Sequence, residues 1–257
     1  MIEETVKIAS KFLRNAYNDD IIVEDAVGID MWLDGGDVGI EDTLYEYFQN
    51  KYKYIENLST YLKRWVQGIK IIKAKPITTK INSLENNYYI TFNYTSTLEK
   101  IYKIDSLDIL HIHGSLYNSD PDPIIGHGNT ERLEAVKYKK EDAEREFNEK
   151  EISIYKVIDN YYNQTFKDIS KYMHKLSDLK DKPIDEINVV GHCVCGIDLP
   201  YFRYIDYLSN NSLIWNVYYF KPEEEAQMRK ALLSQEIDNE RIKTYPTNVF
   251  YDLQNKG

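Results

Sequence analysis

Four short stretches of this chain carry side chains able to move protons or hold polar ligands. They are Phe92-Asn93-Tyr94-Thr95, His111-Ile112-His113-Gly114, Gly126-His127-Gly128 and Gly191-His192. An amide such as Asn93 can orient a water or a hydroxyl, and a histidine, which titrates near neutrality, can accept the proton released. Asp198, a short loop after His192, adds a carboxylate. Each residue also has a plainer use. Asn93 suits the cap of a helix starting near Thr95, and Asp198 suits the cap of one starting at Leu199-Pro200. His111, deeper in its stretch, suits a core position with both ring nitrogens satisfied.

Each of these stretches closes an apolar run that reads as a strand: 88–92, 108–113, 124–126 and 187–192. In an open parallel sheet the carboxyl ends of the strands line one crevice, and ligands bind there. A helix at 96–104 joins the first two strands as a right-handed β-α-β unit. Beyond 192 the pattern predicts a helix near 199–210, a strand at 213–219, a helix near 222–236 and a last strand near 242–250. Strands alternating with amphipathic helices predict an α/β fold, a doubly wound and mainly parallel sheet of Rossmann type.

The expected organisation is one α/β domain over 1–257, with an N-terminal helical part over 1–70 and a charged helical insertion over 130–180. Residues 1–18 have helical apolar spacing, and Ile40, Leu44, Tyr47, Phe48, Tyr52, Ile55, Leu58, Leu62 and Val66 mark a long helix. Between them, Gly28 to Gly39 resembles a phosphate loop only in its glycines. Asp30, Asp34 and Asp37 would repel an anion, so it reads as an ordinary connector. The insertion reads as two helices, a solvated surface that could also serve as a lid.

A formal charge of -10 argues against a bulk electrostatic grip on DNA or RNA, which needs a basic face. No apolar run approaches the ~20 residues of a membrane helix. Met1 to Tyr17 carries charges at helical spacing where a signal peptide would be apolar, so the expected location is cytoplasmic. Cys193 and Cys195 are spaced poorly for a disulfide and too sparsely for a structural zinc site, which predicts packed thiols in a reducing compartment. His111 and His113 share one strand face, and with His127 or His192 three imidazoles would suit zinc. With His111 assigned to the core, no metal is expected.

The ordered set of motifs, with Ile197-Asp198-Leu199-Pro200-Tyr201-Phe202 after Gly191-His192, resembles the phage abortive-infection family AbiH. That family is similar to the sirtuin-like group of Rossmann-type domains, and the likeness spans roughly residues 30–205. Trp32 and Glu41 are similar to a tryptophan-acid segment of the family. The resemblance implies antiphage defence, with NAD or a related nucleotide as substrate or ligand. It implies catalytic roles for Asn93, orienting water or the ribose, and His113, accepting a hydroxyl proton. It implies ligand contacts for Thr95, Gly114, Gly126, His127, Gly191, His192 and Asp198.

Two departures stand out. Family members open with a strand and a Gly-Asn-Gly-Phe-Asp-like loop, whereas this sequence starts at Met1 in what corresponds to the following helix region. Cys193 stands where a small hydroxyl residue is usual. Two functional classes therefore stay open: an NAD glycohydrolase, and a non-catalytic sensor or regulatory module answering to a phage or host protein. A third, weaker class is a nuclease using the histidines and Asp198. Self-association is open as well.

Overall fold

The computed structural model describes residue 50 and residues 57–82, 87–115 and 126–251. The helix expected over 1–18, the Gly28–Gly39 connector and most of the long helix before Val66 fall outside these residues. The chain divides into two compact units, Met1–Ile69 with Asp122–Lys167, and Lys70–Pro121 with Asp168–Gly257.

The described elements run α1 (Leu58–Gln67), β1 (Tyr89–Thr91), α2 (Thr97–Lys100), β2 (Ile109–His111), α3 (Thr130–Arg145), α4 (Glu149–Thr165), α5 (Ser170–Met173), β3 (Glu186–Val190), α6 (Leu199–Leu208), β4 (Ile214–Tyr219), α7 (Pro222–Ser234), β5 (Ile242–Pro246) and α8 (Thr247–Tyr251). This is a mixed α/β chain. Among the described residues no helix is long and apolar enough to cross a membrane.

In the first unit, α3 and α4 start where asparagines can cap them. The side chains of Asn129 and Asn148 accept the amides of Arg132 and Glu151, satisfying donors that a helix start leaves open. Val136 and Ala143 of α3 are buried, as are Ile154, Val157, Ile158, Tyr161 and Tyr162 of α4. Lys140 and Asp159 pair across the two helices at 3.5 Å. Of the strand expected at 124–126 only Gly126 is described, and next to it a single parallel bridge joins His127 to Phe166.

The second unit holds two parallel sheets, β1-β2 and β3-β4-β5. Tyr89 pairs with Ile109 and Thr91 with His111 in the first; Val189, Val217 and Thr244 share a rung of the second. Because side chains alternate along a strand, one face of the larger sheet takes Val189, Trp215, Val217 and Ile242 into the core. Tyr201, Phe202 and Ile205 of α6 and Met228 and Leu232 of α7 pack there too. Fully burying side chains of this size stabilises by about 1.5–3 kcal/mol each. The alternate positions Glu186, Asn188 and Lys243 are exposed.

Several elements are shorter than the spacing predicts. The helix expected over 96–104 ends at Lys100, and the chain turns at Lys103 with φ 60. The strand expected over 187–192 runs 186–190, and the last strand stops at Pro246 because α8 begins at Thr247. Proline has no amide hydrogen to continue a ladder.

Candidate strand-end site

Three residues that the sequence spreads over 113–198 meet in the second unit. His113 lies two residues beyond β2, His192 two residues beyond β3, and Asp198 is the residue before α6. Asp198 occupies the N-cap position, yet its side chain makes no cap hydrogen bond. One of its oxygens lies 3.6 Å from Nε2 of His113 and the other 3.5 Å from Nε2 of His192. The carboxylate therefore sits between two imidazoles, just beyond hydrogen-bond length from each.

Hydrogen bonds fix how each ring presents itself. The Val194 amide donates to Nδ1 of His192 at 2.9 Å, so the ring hydrogen of His192 stands on Nε2, facing Asp198. The Tyr201 hydroxyl lies 3.2 Å from Nε2 of His113. Burial first, and then the charge of Asp198, push the Tyr201 phenol well above the ordinary tyrosine value. The same two causes push Tyr94 up to about 12. Both phenols stay protonated at neutral pH, leaving Tyr201 able to donate to His113. Phe92 closes the other side, its ring 4.4 Å from His192 and 5.6 Å from His113, and Tyr172 meets His113 edge-on at 6.1 Å. His113 is 2% exposed, whereas Asp198 and His192 reach solvent.

Asn93 is exposed. It is not the cap of the next helix, because α2 starts at Thr97 with Ser96 before it. Its amide donates to Oγ1 of Thr91 at 3.1 Å, and its carbonyl accepts from Nδ1 of His111 at 3.1 Å. The other nitrogen of His111 lies 2.8 Å from Oε1 of Glu99, with both side chains buried. His111 is thus a core histidine with both nitrogens occupied. Thr95 shares a hydrogen bond with Thr97 through their hydroxyls at 2.9 Å. Gly114 is buried and closes the turn after β2, its amide donating to the His111 carbonyl at 3.3 Å. Gly191 leaves β3 with φ 68, a left-handed conformation that glycine adopts without cost.

Gly126 and His127 belong to the first unit and make their own set of contacts there. A Cβ on Gly126 would lie 2.5 Å from the Thr165 carbonyl oxygen and 2.9 Å from the Lys167 amide, so only glycine fits. His127 Nε2 meets Oγ1 of Thr165 at 3.1 Å, and that hydroxyl itself donates to the Tyr161 carbonyl at 2.8 Å. The Asn129 amide donates to Nδ1 of His127 at 3.2 Å. His127 is therefore a neutral Nε2–H ring with no spare valence, and burial lowers its pKa from 6.5. Among the described residues no three His, Cys, Asp or Glu side chains form a group able to hold a metal ion.

The expectation for the cysteines is overturned. Cys193 and Cys195 are bonded to each other, and both are exposed rather than packed as thiols. The reason lies in the backbone. The strand has already ended at Val190, and Val194 takes φ 50, which brings the two Cα atoms to 5.3 Å. In an extended strand they would stand about 6.6 Å apart, near the limit for a disulfide.

Phe92, Tyr94, Tyr172 and Tyr201 complete the cluster and were not assigned to it from the sequence. Tyr201 had a signal: it lies three residues after Asp198 at a helix start, a spacing that puts two side chains on one face. Tyr172 had none.

Short parallel sheets with a carboxylate held between two strand-end histidines define a mixed α/β protein with a His–Asp–His cluster. Residues 7–219 match the family described as Bacteriophage abortive infection AbiH. The chain belongs to that family. No curated protein and no solved structure matches it.

Proposed function

We infer that this chain acts in cytoplasmic defence against bacteriophage by abortive infection, and that the His113–Asp198–His192 cluster is where it engages a nucleotide such as NAD. The observation that carries the reading is the placement of Asp198 between the two imidazoles, at 3.6 and 3.5 Å, in a member of this family. Cleaving an N-glycosidic bond builds positive charge on the ribose. A carboxylate at the rim, with histidines beside it to take up a hydroxyl proton, suits that charge. In this reading Asn93, exposed beside the cluster, orients water or the ribose, and His113 is the base. Thr95, Gly114 and Gly191 shape the strand ends. Gly126 and His127 support the first unit, and the resemblance alone links them to the ligand.

A second reading has its own observation in its favour. His113 is 2% exposed and ringed by Phe92, Tyr172 and Tyr201, which suits a cluster that senses a ligand at its rim without turning it over. The partner would then be a phage or host protein. Incubating the purified chain with NAD separates the two. Nicotinamide release that His113→Ala abolishes supports the enzyme. Binding by calorimetry without release, lost in Asp198→Ala, supports the sensor. Neither release nor binding at high protein concentration removes NAD from both.

The fold reading extends in the same way. Both sheets are parallel, and Phe92 beyond β1 stands ring to ring with His192 beyond β3. These features support a single doubly wound arrangement in which 130–180 is an insertion.

A further inference from the structure

Cys193, Val194 and Cys195 place two bonded sulfurs directly after His192. A cross-link this short restricts the unfolded chain very little, because stabilisation by a disulfide grows with the loop it closes. Both cysteines are exposed, while Val194 between them is 1% exposed. Val194 also takes φ 50, a conformation adverse to a β-branched residue. The bond, together with the burial of Val194 in the core, holds an unfavourable turn in place, and it does little to staple the fold. Exposed cross-links of this kind are the ones thiols exchange with.

The turn has a chemical consequence next door. With Val194 folded back, its amide reaches Nδ1 of His192, at 2.9 Å. A nitrogen that accepts this hydrogen bond carries no proton, so the turn keeps the His192 hydrogen on Nε2, facing Asp198.

We propose that Cys193 and Cys195 form a reversible dithiol–disulfide site for thiol reductants, and that its redox state sets the ring state of His192. A reductant thiolate attacks one sulfur, forming a mixed disulfide and releasing the other cysteine as a thiolate, which takes a proton. A second reductant thiol then displaces the remaining cysteine. The products are two cysteine thiols and one oxidised reductant, with both electrons supplied by the reductant. With the bond open, Val194 relaxes to negative φ, its amide leaves His192, and Nδ1 becomes able to bind a proton. Reoxidation reverses each step. The inference does not depend on which nucleotide, if any, the cluster engages.

The test equilibrates the full chain in glutathione buffers of graded ratio. Differential alkylation with mass spectrometry reads the thiols, and ¹⁵N spectra of the histidine rings read His192. The expected result is that both thiols appear together as the buffer becomes reducing, and that the His192 ring signals shift with the same midpoint. Cysteines that ignore the glutathione ratio, or that convert while the His192 signals stay fixed, overturn the proposal. Should the Cys193→Ser, Cys195→Ser variant not fold, the reduced chain capped with iodoacetamide supplies the permanently open state. Its His192 signals must match the reduced protein, and a match to the oxidised one also overturns the proposal. None of these readouts uses NAD turnover, so failure of the nucleotide reading would be seen separately.

Discussion

Asp206→Ala is the most stringent test of how the second unit is held together. Asp206, in the last turn of α6, is 2% exposed and accepts from three donors. Nη1 and Nη2 of Arg241 reach its two oxygens at 2.6 and 2.8 Å, and the Trp215 indole donates at 3.0 Å. The hydrogen bond to Asp206 is also the first cause that raises the Arg241 pKa. Alanine would strand a guanidinium and a sealed indole N–H together. Removing one partner of a buried pair costs about 3–5 kcal/mol. The Arg241 side chain is 17% exposed and keeps its bond to the Leu213 carbonyl, which favours the lower end. The unsatisfied indole adds about 1–3 kcal/mol, partly overlapping because one carboxylate served both. The expected loss is about 3–5 kcal/mol, a large part of the stability of an ordinary domain. Urea unfolding followed by circular dichroism measures it, and a cycle with Arg241→Ala isolates the pair. The double variant should lose clearly less than the two single losses added, by about 1–3 kcal/mol. A single-variant loss under about 1 kcal/mol, or strict additivity, would refute the reasoning.

Gly126→Ala should destabilise by about 3 kcal/mol, because its Cβ collides with backbone and threatens the two hydrogen bonds of the His127–Phe166 bridge. Gly191→Ala meets no atom within 4 Å and should cost only the left-handed penalty, about 1–2 kcal/mol; equal losses at the two glycines would contradict this ranking. Tyr201→Phe should cost about 1 kcal/mol and move the ring resonances of His113, while unchanged His113 signals would mean the hydroxyl bond is not made. His127 gives a pH dependence whose sign follows from burial. Its folded pKa is lowered, so the unfolded chain binds the proton first and stability falls as pH drops below 6.5. His127→Gln should flatten that part of the stability profile, which denaturation at stepped pH would measure.

The sheets were legible because burial on one face imposes a pattern. Trp215, Val217 and Ile242 had to point inward, and all five described strands fall on the expected runs to within one or two residues at the start. Ends were less legible, since they depend on single events such as the turn at Lys103 or the proline closing β5. Of the candidate residues, His113, His192 and Asp198 were visible as strand-end and helix-start residues that come together, while His127 falls in the first unit. What spacing could not reveal is orientation. Asp198 stands at a cap position and turns away from it, and His192 is fixed by an amide two residues on. The disulfide was missed because strand geometry was assumed for Cys193 and Cys195, and a single left-handed valine removes that geometry.

The buried pair of His111 and Glu99 settles an accounting of hydrogens. A carbonyl can only accept, so Nδ1 of His111 must donate to Asn93. The remaining nitrogen and the Glu99 oxygen, 2.8 Å apart, then need one hydrogen between them. Whether it rides on the ring or on the acid, the pair sums to zero charge. The buried pair beside Asn93 therefore brings no net charge to the strand ends, where Asp198 stands between His113 and His192.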